Sequence, residues 1–343
     1  MNGMGERLGI RHVAWAIGIA VFLAIPHVVT DKFLMHLAIL GMLYAIVASN
    51  WDLTLGYAGV FNFAHLAFFG IGAYTSGILA VKYGISPWLG IPAGGVTAAL
   101  ASILVSIPAI RLRGIYVALL TFACSQLVLL LLLSQPLITG GQQGLTGVPQ
   151  LQIGDFLFRK SKFAHFYLVG FLLLCSTVFL RRLVTSDFGL SLIALRDFEE
   201  YAVARGIPLA RQRLLAFLLS SIFPGLAGGV YAHFLIVASP DIFGFSLTTL
   251  LLSMVLVGGV ATIYGPVLVG VVMTFVSELM ATSAWMSDVF GISRGPVRFM
   301  FVAVLIVLTM RFFPEGIWGL IKRFSTRARN AQGTATEEQS EIT

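Results

Sequence analysis

Long apolar runs separated by short polar or glycine-rich breaks cover most of this chain. They lie near residues 13–29, 33–54, 57–81, 88–110, 114–134, 164–180, 213–237, 247–262, 264–285 and 297–312. Several approach or exceed the ~20 residues that an α-helix needs to cross a bilayer. The pattern predicts an all-α integral membrane protein, a polytopic bundle of about ten transmembrane helices. The runs are read as one transmembrane domain over residues 1–329, followed by a polar tail at 330–343. That tail lacks the apolar residues needed to build a core.

Composition agrees with the pattern. Hydrophobic residues make up 58% of the 343 and charged residues only 11%, with a formal net charge of +7. The basic residues sit mostly in loops and at the termini, where the positive-inside rule places them, rather than in a nucleic-acid-binding patch. With the N-terminus inside, alternation puts Arg111 and Arg113, the 181–213 loop and Lys322, Arg323, Arg327 and Arg329 inside. The 135–163 loop then falls outside, although it carries Arg159, Lys160 and Lys162. The first run resembles a signal peptide, but Pro26 and His27 replace the small-residue cleavage pattern, so an uncut span is expected. Cys124 and Cys175 lie in apolar runs without metal-ligand spacing and read as reduced packing residues.

One stretch breaks the apolar texture. Residues 187–208, DFGLSLIALRDFEEYAVARGIP, form a charged island flanked or entered by Arg181, Arg182, Arg196, Arg205, Arg211 and Arg213. Leu190, Ile193, Ala194, Asp197 and Tyr201 recur at helical spacing. Ser186 or Asp187 is a candidate cap, and Gly206 followed by Pro208 a stop. A short amphipathic helix on the basic side suits docking of a soluble partner; a solvated connector satisfies the same pattern.

The apolar runs contain few polar groups: Asn50, Asp52, Asn62, His65, Gln126, His233 and Glu278. An ionisable residue at membrane depth is costly and is a functional candidate by default. For Asp52 an interfacial position is the alternative, and for His65 a hydrogen bond to a neighbouring helix is favoured over contact with cargo. Segment 57–81 also holds Gly59, Gly70, Gly72 and Gly77, and Gly258-Gly259 is followed by Gly265-Pro266. Such glycines either pack helices closely or mark the broken helices of transporter pathways. GYAG at 56–59 and GGVATIYG at 258–265 echo each other faintly. There is no HExxH, GxSxG or P-loop, and Thr139 to Gln143 only imitates an ABC ATPase signature without a phosphate-binding loop to accompany it. An intramembrane enzyme is therefore disfavoured, as is a proton-driven carrier, which would show an array of intramembrane carboxylates.

The segment LGYAGVFNFAHLAFFGIGAYTSG (55–77) resembles the GYxGxxxxxHxxFxGxGAY pattern of branched-chain amino acid ABC transporter permeases of the LivM type. TGGQQGLTGVP (139–149) is similar to the TGGxxGLxGIP loop of that family. Residues 189–234, 239–270 and FFPEGIWGL (312–320) continue the resemblance in order, so that it covers roughly 35–320. It implies a multi-pass subunit of the bacterial inner membrane, in contact with lipid, without cofactor, catalytic residue, metal or nucleic acid. Its implied partners are a second, LivH-like permease, two cytoplasmic ATPase subunits and an external substrate-binding protein.

Glu200 to Gly206 keeps the glutamate-to-glycine spacing of the importer EAA motif, with Tyr201 in place of its usual alanine. By resemblance, Gly189, Arg196, Asp197, Glu200, Ala202 and Gly206 would couple to the ATPase. Gly59, Asn62, His65, Gly70 and Gly72 would lie on or near the translocation path. FNFAH departs from the serine and glycine that many relatives carry before the histidine, so urea and short-amide permeases, which share nearly all these motifs, remain alternatives, as does an independent secondary carrier.

Overall fold

A computed structural model describes residues 26–27, 31–153, 156–157, 162–282, 303–309, 311 and 316–319. Helix α1 (Lys32–Asp52) is capped by the Asp31 carboxylate, which accepts the Phe33 N–H at 2.8 Å. It ends in one π-helical turn, Leu53–Tyr57. Next come α2 (His65–Tyr83), α3 (Pro87–Ala109) and α4 (Ile115–Ser134). After an outer loop come α5 (Lys162–Val184), the two short helices α6 (Asp187–Asp197) and α7 (Glu199–Ala204), and the long α8 (Leu209–Leu235). The described residues close with α9 (Phe245–Gly258), α10 (Tyr264–Thr282) and a helical stretch at 303–309.

Six of these are long and apolar enough to cross a membrane, while α9 and α10 are apolar but shorter. The runs expected at 13–29 and 297–312 fall largely outside the described residues, as does the tail at 330–343. The protein is a multi-pass helical membrane protein.

The bundle is held by close backbone approach. Helix α8 packs against α2 and α3, and α1 against α10 and α5. At the α2–α8 crossing a Cβ on Gly72 would collide with the Gly225 carbonyl, and a Cβ on Gly225 would strike Ala98 and Gly94 of α3. Small residues are the natural solution in a bilayer, where dispersion between helices replaces the hydrophobic drive. Leu43, Ile46, Phe69, Phe243 and Leu251 fill the centre. Helix α4 instead turns Leu127, Leu130 and Leu131 outward, a face suited to lipid tails.

The loops segregate to two ends. At one end β1 (Leu145–Thr146) pairs antiparallel with a second two-residue strand, Val237–Ala238, in the register Leu145↔Ala238. The loop expected to be an external turn is thereby tied to the end of α8. The opposite end carries Arg113, α6, α7 and the turn between α9 and α10, the arrangement that alternation of basic loops predicts. Of the discordant charges, Arg159 and Lys160 lie outside the described residues, and Lys162 is the first residue of α5.

Candidate functional site

The charged island is two helices rather than one. Phe198 leaves the helical region at φ −146°, ψ 77° and separates α6 from α7. The break stands between two anchors. Before it, Arg196 Nη1 donates to the Gly56 carbonyl at 2.8 Å, and Arg196 Nε contacts Asp197 Oδ1 at 2.8 Å. After it, Glu199 meets Arg213 Nη2 at 2.8 Å and Arg113 Nη2 at 2.9 Å. The expected cap at Ser186 does not form: its hydroxyl turns back to the Leu183 carbonyl at 2.6 Å.

Among the residues expected to couple, Gly189 is buried because α6 starts against the end of α5; a Cβ there would strike Val184. Ala202 is buried at 3% exposure and holds α7 down. Glu200 is exposed and makes no ion pair among the described residues, so the glutamate engaged within the chain is its neighbour Glu199. Gly206 ends the segment at φ +91°, a left-handed conformation that disfavours other residues, with open space where a Cβ would stand. Phe198 and Tyr201, at 73% and 61% exposure, join Arg113, Glu199 and Glu200 around an open groove.

The segment read as one span over 57–81 is interrupted. After the π-helical turn the chain runs without helix to Ala64, and α2 begins at His65. Gly59 produces the turn at φ +66°, and a Cβ there would meet the Arg196 side chain at 2.6 Å, so the break and α6 touch. Asn62 is fully buried, and its Oδ1 accepts the Ala64 N–H at 2.8 Å. The Phe63 N–H is taken by Thr121 Oγ1 of α4 at 3.0 Å. A small cleft beside Gly59 is lined by Phe61, Arg113, Arg213 and Phe217.

His65 faces the backbone of Asn50 on the neighbouring helix α1 and that of Asn62, the setting expected of it. It is fully buried and stacked on Trp51, ring centroids 5.8 Å apart. Around it Asn62 Nδ2, Trp51 Nε1 and Asn50 Oδ1 are buried without partners, while Asn50 Nδ2 donates to Ser176 Oγ at 2.7 Å. Buried polar atoms are normally paired, so this concentration of unpaired ones at a helix break is unusual. Gly70 and Gly72 lie deeper and serve packing, Gly70 against the Phe243 ring and Gly72 against Gly225.

Asp52 stands at the last position of α1. It is fully buried, and its two oxygens accept the N–H groups of Ala261 and Thr262 at 2.8 and 2.9 Å. Those donors belong to the turn after α9, where Gly259 and Ala261 both have positive φ. The turn is closed by a hydrogen bond from Thr262 Oγ1 to the Gly259 carbonyl. The faint echo between 56–59 and 258–265 therefore corresponds to two interrupted elements in contact, since a Cβ on Gly56 would collide with Ala261. Sequence reading raised Asp52 without finding its partner, and it passed over Glu199. Nothing in the sequence singles Glu199 out from Glu200; its partners Arg113 and Arg213 come from distant stretches of the chain.

A bundle of apolar helices, interrupted at one end and carrying a charged, partly exposed segment there, defines a multi-pass membrane protein with a polar face at one end. Residues 33–310 match the family described as branched-chain amino acid transport system / permease component, and the chain belongs to that family of transport subunits. It is similar to the high-affinity branched-chain amino acid transport system permease protein LivM of Escherichia coli strain K12, 28% identical over 305 residues, covering 82% of this chain and 69% of that protein. The Salmonella typhimurium LivM matches to the same extent. A probable branched-chain amino acid transport permease protein LivH of Methanocaldococcus jannaschii is 26% identical, over 84% of this chain and 93% of its own length. No solved structure matches.

Proposed function

We propose that this chain is a LivM-type transmembrane subunit of an ATP-driven importer of branched-chain amino acids in a bacterial inner membrane. It pairs with a second, LivH-like permease, docks two cytoplasmic ATPase subunits and receives cargo from an external binding protein. The observation that carries this reading is the segment 187–208. It is anchored to the bundle through Arg196 and Glu199 yet turns Phe198, Glu200 and Tyr201 outward. A surface connector has no need of anchors on both sides and a rim of exposed aromatics between them. ATP binding in the partners displaces this segment, and the bundle alternates between two states whose populations the cargo biases.

Gly59, Asn62 and His65 lie near the path in this reading. The unpaired polar atoms around His65 support it, because a helix break that opens during the cycle gives them partners that a closed, packed interior lacks. A self-sufficient ion-coupled carrier fits less well. Asp52 is the buried carboxylate among the described residues, and backbone N–H groups already occupy both of its oxygens. The test is co-expression with candidate partners, reconstitution in proteoliposomes, and measurement of ATP hydrolysis with and without leucine-loaded binding protein. Hydrolysis and uptake that rise together support the reading. Uptake by the chain alone, driven by an ion gradient, overturns it.

A further inference from the structure

Three segments distant in sequence meet at the inner end of α1. From α6, Arg196 Nη1 donates to the Gly56 carbonyl in the π-helical turn, and the Arg196 side chain also lies over Gly59. From the same end of α1, Asp52 reaches in the opposite direction and accepts both the Ala261 and Thr262 N–H groups. Between them Gly56 has no room for a side chain: a Cβ would strike Asp52 and Ala261 together. The Arg196 guanidinium is also near enough to act on the Asp52 charge. Two consecutive N–H donors aimed at one carboxylate, with a guanidinium nearby, offset part of the cost of burying it.

The connection is short and stiff at each step. Its contacts are 2.8–2.9 Å, it passes Gly56 where no side chain fits, and it ends on a loop with positive φ at Gly259 and Ala261. A displacement of α6 cannot leave the α1 terminus or the α9–α10 turn behind without breaking one of these bonds. We propose that Asp52 is a positioning residue of the transport cycle. It carries movement of the 187–208 segment, delivered through Arg196 and the α1 terminus, to the turn between α9 and α10. This rests on the reading of that segment as the ATPase contact. Spatial continuity alone does not establish coupling, and the test therefore measures coupling itself.

The experiment uses the whole importer in proteoliposomes and reads moles of leucine imported per ATP hydrolysed. Asp52→Asn keeps the shape and one acceptor but loses the charge and one of the two N–H bonds. The expected result is an assembled complex that hydrolyses ATP near the wild-type rate with a transport ratio lowered about fivefold or more, the scale of an ordinary coupling energy. Equal loss of both rates, or an unchanged ratio, in an assembled complex overturns the proposal. If Asp52→Asn does not assemble, Arg196→Lys decides. It retains the charge without the fork that reaches Gly56, and it must lower the ratio; an unchanged ratio again overturns the proposal. A wild-type complex without substrate-stimulated hydrolysis would instead refute the underlying reading of function, so the two failures are distinguishable.

Discussion

Ser76 Oγ lies 2.8 Å from His233 Nε2 in the interior, and the other ring nitrogen, Nδ1, lies 2.6 Å from the Pro149 carbonyl. A carbonyl only accepts, so Nδ1 carries the proton and the neutral ring accepts the Ser76 hydroxyl at Nε2. The pair thereby fixes the outer loop to α2 and α8, and β1 extends the same attachment onto Val237–Ala238. His233→Ala leaves the buried Ser76 hydroxyl without a partner, at roughly 1–3 kcal/mol, and frees the exposed Pro149 carbonyl to water. Thermal unfolding in detergent should show a clear loss, with faster hydrogen exchange across residues 144–150. Ser76→Ala, which leaves one ring nitrogen unpaired but keeps the bond to Pro149, should cost less.

Sidedness provides a second check. Gln150 lies at the end of the bundle with the β1 ladder, and Glu200 at the end with α6 and α7. With Cys124 and Cys175 replaced by serine, Gln150→Cys and Glu200→Cys should react with an impermeant maleimide from opposite faces of sealed vesicles. Labelling from one face for both would contradict the arrangement.

The Glu199 clamp predicts an unequal pair of effects. The Arg113 side chain is 74% exposed and that of Arg213 only 15%, with Glu199 at 24%. Solvent and salt weaken the exposed arm to under about 1 kcal/mol. Arg213→Ala should therefore loosen α7, seen as faster hydrogen exchange at residues 199–206 and weaker co-purification of the ATPase. Arg113→Ala should change both only slightly, and a reversed order would show that the outer arm holds the segment.

Two glycines separate strain from collision. At Gly206 a valine meets open space, and the cost is backbone strain of about 1–2 kcal/mol. At Gly59 a valine is strained and also strikes the Arg196 side chain. Gly59→Val should therefore reduce uptake more than Gly206→Val. Glu200→Ala, at an exposed position, should weaken ATPase co-purification while insertion and sidedness persist. Wild-type stimulated hydrolysis in both Glu200→Ala and Gly206→Val would reduce 187–208 to a connector.

Asn62→Leu tests the interrupted segment. The substitution removes a buried Nδ2 without partner and the Oδ1 that holds the start of α2. Uptake should fall while the second permease and the ATPase subunits still co-purify; unchanged uptake kinetics would remove Asn62 from the path.

The sequence by itself determined that the chain is helical and crosses a membrane several times, because a bilayer demands ~20 apolar residues per span and each run announces itself locally. It also located the charged segment, its stop at Gly206 and the glycines at helix breaks, since these depend on residue type and spacing alone. Tertiary structure decided what the polar groups do. Asp52 is satisfied by backbone N–H groups about 210 residues away and Arg196 by a backbone carbonyl 140 residues away. Every residue but proline carries such an N–H and every residue such a carbonyl, so no residue type marks the partner in advance. The division of 187–208 at Phe198 and the choice of Glu199 over Glu200 have the same origin. Adjacent glutamates are alike in sequence, and only the placement of Arg113 and Arg213 distinguishes them.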